Sequence, residues 1–143
     1  MSVATPAPWA DRIGRTLLAF DAVATVGAFA YGIGRVLEAS DATVQMEFWV
    51  TTAYLVFAGL WALLAWRPRQ FRGLWELVLA QKIAVTVFAF VLIDTDGASR
   101  NAVSDTIMVV TTLAAYFLCR GWLTWRRSGT AEVAEGQLAD ATR

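Results

Sequence analysis

Polar and apolar residues fall along this chain in long blocks rather than in short periods. Four apolar blocks, about 13–36, 48–66, 73–93 and 103–125, are separated by short polar joints. Each is close to the ~20 residues that a helix needs to cross a hydrocarbon core ~30 Å thick. None keeps a period of two over its length, which sets aside a lipid-facing barrel. The joints hold about 11, 6 and 9 residues, so consecutive helices are expected to be antiparallel neighbours. The pattern predicts an all-α integral membrane protein, a four-transmembrane-helix bundle running up-down-up-down. Residues 1–127 form one four-span domain in this reading, and 128–143 a short, mobile cytoplasmic tail.

Composition narrows the chemistry. The chain is 57% hydrophobic and 17% charged, with twelve basic and twelve acidic residues, far from the basic balance of a nucleic-acid-binding domain. It contains no His, which excludes zinc-His sites, Ser-His-Asp triads and histidine relays, and a single cysteine, Cys119. One cysteine forms no intrachain disulfide, redox CxxC pair or thiolate cluster. No GxxxxGK[ST], HExxH or Gly-rich dinucleotide fingerprint occurs. No cofactor or metal is expected.

Arginine placement orients the bundle. Arg12, Arg15, Arg67, Arg69, Arg72, Arg126 and Arg127 all fall on one side of the spans, against Arg100 as the one loop cation on the other. By the positive-inside bias both termini are cytoplasmic, in the cell (inner) membrane of a multi-pass protein. Trp9, Trp49, Trp66, Trp75, Trp122 and Trp125 stand near span ends, where indoles favour the interface. Within the first block, Arg15, the apolar run Thr16–Gly27 and Ala28-Phe29-Ala30 resemble the three parts of a cleavable signal. Asp21 in its middle predicts that it is retained as a span.

Ionisable residues inside the spans carry the functional question, because each costs about 2.5–3.5 kcal/mol to insert and so turns inward to a partner. Counting about 1.5 Å per residue from the cytoplasmic side, Asp21 lies ~12 Å deep and Lys82 ~14 Å deep. The first and third helices run the same way, so an Asp21–Lys82 ion pair is expected. Three helical faces also carry polar stripes: Glu47, Thr51, Tyr54, Ala58 and Trp61; Asp105, Thr112, Tyr116 and Cys119; and Asp21, Ala24, Ala28, Gly32 and Arg35. Their convergence predicts a polar cavity lined by Arg35, Glu47, Tyr54, Asp105 and Tyr116, open to the non-cytoplasmic side. A structural reading stands beside each assignment. Glu47 and Asp105 complement the dipole in a first helical turn, Arg35 snorkels, and the tyrosines simply pack. Glu76, one turn into the third helix, sits at the cytoplasmic interface or turns inward.

Buried carboxyls in a low-dielectric bundle suit proton transfer. The expected function is an enzyme using acid–base chemistry on a lipophilic small molecule, of cyclase, isomerase or epoxide-opening type. Glu47, Asp105 and Asp21 are its candidate catalytic groups. Arg35, Tyr54, Trp61, Glu76, Lys82 and Tyr116 are its candidate substrate contacts. A non-catalytic accessory subunit of a larger complex and a small proton-coupled transporter remain open beside it. The expected partners are the lipid bilayer, a lipophilic molecule, and a second copy or a membrane partner protein, with no nucleic acid.

Overall fold

Several helix boundaries have a local reason in the sequence. The computed structural model describes residues 6–95 and 98–125. The expected tail at 128–143, Asp96, Arg126 and Arg127 lie outside the described residues. Helix α1 spans Pro8–Glu38, starting earlier than the apolar block because proline at the first turn presets φ and gives up an N–H that has no partner there. It ends as Ala39 turns extended, and the N–H groups of Thr43 and Val44 both donate to Ser40 O at 2.9 Å. Helix α2 spans Val44–Trp66. Gly73, at φ 79°, opens helix α3, Leu74–Val91, in the left-handed region that glycine reaches without a Cβ clash.

Helix α4, Ala98–Leu118, ends seven residues before the expected boundary at 125. The stop is a Schellman motif: Arg120 is left-handed at φ 52°, Gly121 N donates to Tyr116 O at 2.8 Å, and Arg120 N donates to Phe117 O at 3.2 Å. A further turn then carries the chain to Trp125. No strand occurs among the described residues.

Helix α1 is the hub. It packs along α2 and against α4, α4 also packs on α3, and α2 meets α3 at only a few positions. Close approach depends on missing side chains. A Cβ on Gly32 would lie 2.5 Å from Thr51 Oγ1, and one on Gly14 would lie 2.5 Å from Cys119 Sγ, so glycine lets α1 touch both neighbours.

The distribution of polarity is inside-out. Asp21, Thr25, Thr51, Lys82 and Thr112 are buried, whereas Phe20, Val23, Leu37, Trp49, Val56 and Phe88 are exposed. The apolar core is small and centres on Leu18, Trp61, Leu64, Trp75, Val78 and Ala115. All four helices are long and apolar enough to cross a membrane. Apolar exposure on this scale marks a surface made for an apolar neighbour.

Candidate functional site

The interior polar residues form three groups stacked along the bundle. The middle group centres on Asp21 of α1, which is fully buried. Thr111 Oγ1 donates to its carboxylate, 2.8 Å from Oδ1 and 2.9 Å from Oδ2, and Thr112 Oγ1 lies 3.3 Å from Oδ2. Thr112 in turn accepts from Trp61 Nε1 at 3.0 Å. The Asp21 carboxylate is thus held by α4 hydroxyls, one of them positioned by an α2 indole. No basic side chain is in ion-pair contact with Asp21 among the described residues.

The expected Asp21–Lys82 pair does not form. Lys82 Nζ donates to Asp105 Oδ1 at 3.0 Å instead. Helices α1 and α3 lie diagonally and make no contact, so equal depth does not bring their side chains together. Each charged residue reaches its lateral neighbour α4. Lys82 also stands over two α2 rings, 5.1 Å from the Phe57 centroid and 5.5 Å from that of Trp61, within cation–π range.

Asp105 opens the second group. Tyr54 lies within electrostatic range of Asp105, Arg35 and Glu47, and Arg35 donates a hydrogen bond to Glu47 in an ion pair. Arg35 and Glu47 are thus paired across α1 and α2, with the charge of Asp105 acting on the same Tyr54. Their chemical state differs from an open carboxylate cavity, because Glu47 and Asp105 each face a cation directly. The Thr51 hydroxyl oxygen, buried beside Gly32, has no hydrogen-bond partner among the described residues.

Tyr116 and Glu76 belong elsewhere, at the opposite end of the bundle. The Tyr116 ring packs edge-on against Trp75 at 5.5 Å and Trp122 at 5.8 Å. Glu76 Oε1 accepts from Trp125 Nε1 at 2.8 Å, while its Oε2 is buried without a partner among the described residues. Tyr116 shares a helical face with Asp105, but eleven residues at about 1.5 Å each put it ~16 Å further along. A shared face does not imply a shared depth.

This end also holds residues that the sequence marked only for orientation or the membrane interface. Arg69, in the loop between α2 and α3, pairs with Asp11 of α1 and donates to Cys119 O at 3.0 Å. Arg15 pairs with Asp11 at 2.8 Å and donates to Trp66 O at 2.9 Å. Trp75 Nε1 donates to Pro68 O at 2.7 Å. These contacts fasten the loop to the start of α1 and the end of α4.

Hydrogen counting shows what the middle group can do. Thr111 has one proton and four acceptors in reach: both Asp21 oxygens, Ile107 O at 2.9 Å and Met108 O at 3.1 Å. With Asp21 ionised, that proton points at the carboxylate. With Asp21 protonated, the carboxyl O–H donates to Thr111 Oγ1, and the hydroxyl turns to its own helix at Ile107 O. Both protonation states leave every group partnered. Among the described residues, no three Asp, Glu or Cys side chains gather as a metal site would require. Comparison with known protein families, characterised proteins and solved structures found no match for this chain.

Proposed function

We propose that this chain crosses the cell membrane four times as an up-down-up-down bundle with both termini cytoplasmic. We further propose that it is an enzyme moving a proton to or from a lipophilic small molecule, of cyclase, isomerase or epoxide-opening type. Asp21 is the proton-carrying group in this reading, displacing Glu47 and Asp105 from that role. The observation that carries it is the setting of Asp21: fully buried, faced by hydroxyls rather than a cation, and satisfied with or without a proton.

Charge counting supports the same assignment. Asp21 and the Lys82–Asp105 pair beside it make two acids against one base. One proton on this group makes it neutral, and its transfer leaves one net negative charge that only hydroxyls face. Burying an ion is costly unless hydrogen bonds offset it, and the two threonines supply them. The sparse contact between α2 and α3, beside Phe57, Trp61 and Lys82, supports access for a lipophilic molecule from the lipid side. Ring faces there suit an apolar substrate that develops positive charge.

The test needs no known substrate. Infrared difference spectra of the purified chain in lipid nanodiscs, recorded across a pH series, report carboxyl protonation through the C=O stretch. A titrating buried carboxyl band should be present, absent in Asp21→Asn and retained in Glu47→Gln. Incubation of both proteins with a membrane lipid extract, followed by mass spectrometry, should show a compound altered by the parent and not by Asp21→Asn. A band that persists in Asp21→Asn refutes the assignment. If no compound changes, the network is a static scaffold and the accessory-subunit reading takes its place.

A further inference from the structure

An open groove lies outside the interior network, between α1 and α2 at the arginine-rich end. It encloses about 620 Å³ and is lined by Arg12, Arg15, Ala19, Ala22, Ala62 and Trp66, among others. That volume falls in the range of about 300–1,000 Å³ typical of ligand sites. Its floor exists because both helices present alanine where they face each other, so no long side chain fills the cleft. From Arg12 to Val23, the deepest α1 residue of its lining, the groove runs about 16 Å at ~1.5 Å per residue. One leaflet of a ~30 Å hydrocarbon core has nearly that depth.

The mouth is basic. Arg12 and Arg15 line it, and the Asp11 carboxylate that pairs with Arg15 is shared with Arg69. The Arg12 guanidinium has no hydrogen-bond or ion-pair partner among the described residues. With Arg12 unpaired and Arg15 sharing its one carboxylate with Arg69, the mouth carries an excess of positive charge, and arginine pairs with phosphate through its planar fork. A basic end above an apolar, leaflet-deep trough is the chemistry of one amphiphile.

We propose that this groove binds an anionic phospholipid of the surrounding membrane, with its phosphate at Arg12 and Arg15 and one acyl chain along the alanine floor. Basic pockets between membrane helices on the cytoplasmic side are suited to such head groups. The site needs the bundle to sit in a membrane and is independent of any role for Asp21.

Native mass spectrometry of the detergent-purified full chain tests it, with dioleoyl phosphatidylglycerol and dioleoyl phosphatidylcholine supplied in equal amounts. One phosphatidylglycerol should be retained per chain in preference to phosphatidylcholine. Arg12→Gln, at an exposed position, should weaken phosphatidylglycerol retention about tenfold, the loss of one charge-assisted hydrogen bond. Ala62→Leu, also exposed, should fill the trough and reduce retention of both lipids. Tryptophan fluorescence checks that each variant keeps its fold, and the two act through different atoms. Equal retention of both lipids by the parent overturns the proposal. So does a preference that survives both variants, or displacement of the lipid by inorganic phosphate alone, which would assign the arginines to a free anion.

Discussion

Replacing Lys82 by methionine removes one half of an ion pair that the bundle encloses almost completely. Lys82 Nζ and Asp105 Oδ1 are 3.0 Å apart, and their side chains are 10% and 15% exposed. At that separation and an effective dielectric of about 20, the gross attraction is about 5–6 kcal/mol. Desolvation of two ions offsets most of it, so the intact pair contributes little net stability. Half a pair is different, costing about 3–5 kcal/mol because the remaining charge stays buried and alone. Methionine keeps the contact with the Phe57 and Trp61 rings through its thioether, so the substitution isolates the charge. Lys82→Met should lower the unfolding free energy by about 3 kcal/mol or more, and Lys82→Met with Asp105→Asn should recover most of it.

The assay is equilibrium unfolding in bicelles, followed by tryptophan fluorescence, with Trp61 beside the perturbed charge as reporter. Ordinary interhelical hydrogen bonds in membranes average about 0.6 kcal/mol in double-mutant cycles. A coupling above about 2 kcal/mol, beyond the ~1.7 kcal/mol maximum of those bonds, therefore identifies a charge pair. Additivity within ~0.5 kcal/mol would refute the pairing, as would an equally large coupling of Lys82 to Asp21.

Three further outcomes are expected. Asp11 lies ahead of the apolar run, and burial pushes its carboxyl up, but the hydrogen bonds from Arg69 and Arg15 outweigh burial and hold it below its ordinary 3.8. The unfolded chain then binds a proton at higher pH, near ~3.9. The stabilisation is present above that value and lost as pH falls through the lower folded value. Thermal midpoints against pH should fall less steeply on the acid side for Asp11→Asn, and matching slopes would contradict this. Cysteine labelling in a Cys119→Ser background should reach Ser99→Cys from outside the cell and spare Gln70→Cys; the opposite pattern inverts the orientation. Gly121→Ala places a methyl against the Tyr116 ring and Trp75. It should cost about 1–3 kcal/mol as an overpacked contact, read by the same unfolding assay.

What the sequence made legible was whatever depends on position along a single helix. Block length placed four apolar helices, and the spacing of Glu47 and Tyr54 on α2 put them on one face, where Arg35 pairs with Glu47. Contacts that depend on which helices are neighbours were not legible. Depth arithmetic matched Lys82 to Asp21, but the diagonal separation of α1 and α3 gave Lys82 to Asp105 and left Asp21 to Thr111 and Thr112. Those threonines carried a faint signal, two adjacent hydroxyls at the level of Asp21 on an antiparallel helix. Arg69 was read as a mark of orientation, though it also fastens α1 to the end of α4. The early end of α4 was hidden because a left-handed arginine, Arg120, stands where glycine is usual, and only Gly121 beyond it hinted at the motif.

If one proton belongs to the group of Asp21, Asp105 and Lys82, the two halves of its ion pair should affect that proton in opposite ways. Asp105→Asn leaves one acid and one base. The Lys82 ammonium, within electrostatic range of Asp21, then has that carboxylate as its nearest available counter-charge, and the interior is neutral without an added proton. Lys82→Met leaves two acids and no base, so neutrality requires two protons. The titrating carboxyl band in nanodiscs should shrink in the first variant and grow in the second. Damage to packing predicts no such opposition, since both variants unpair a buried charge and both destabilise the bundle. A band that moves the same way in both would separate Asp21 from the ion pair and leave the two as independent structural features.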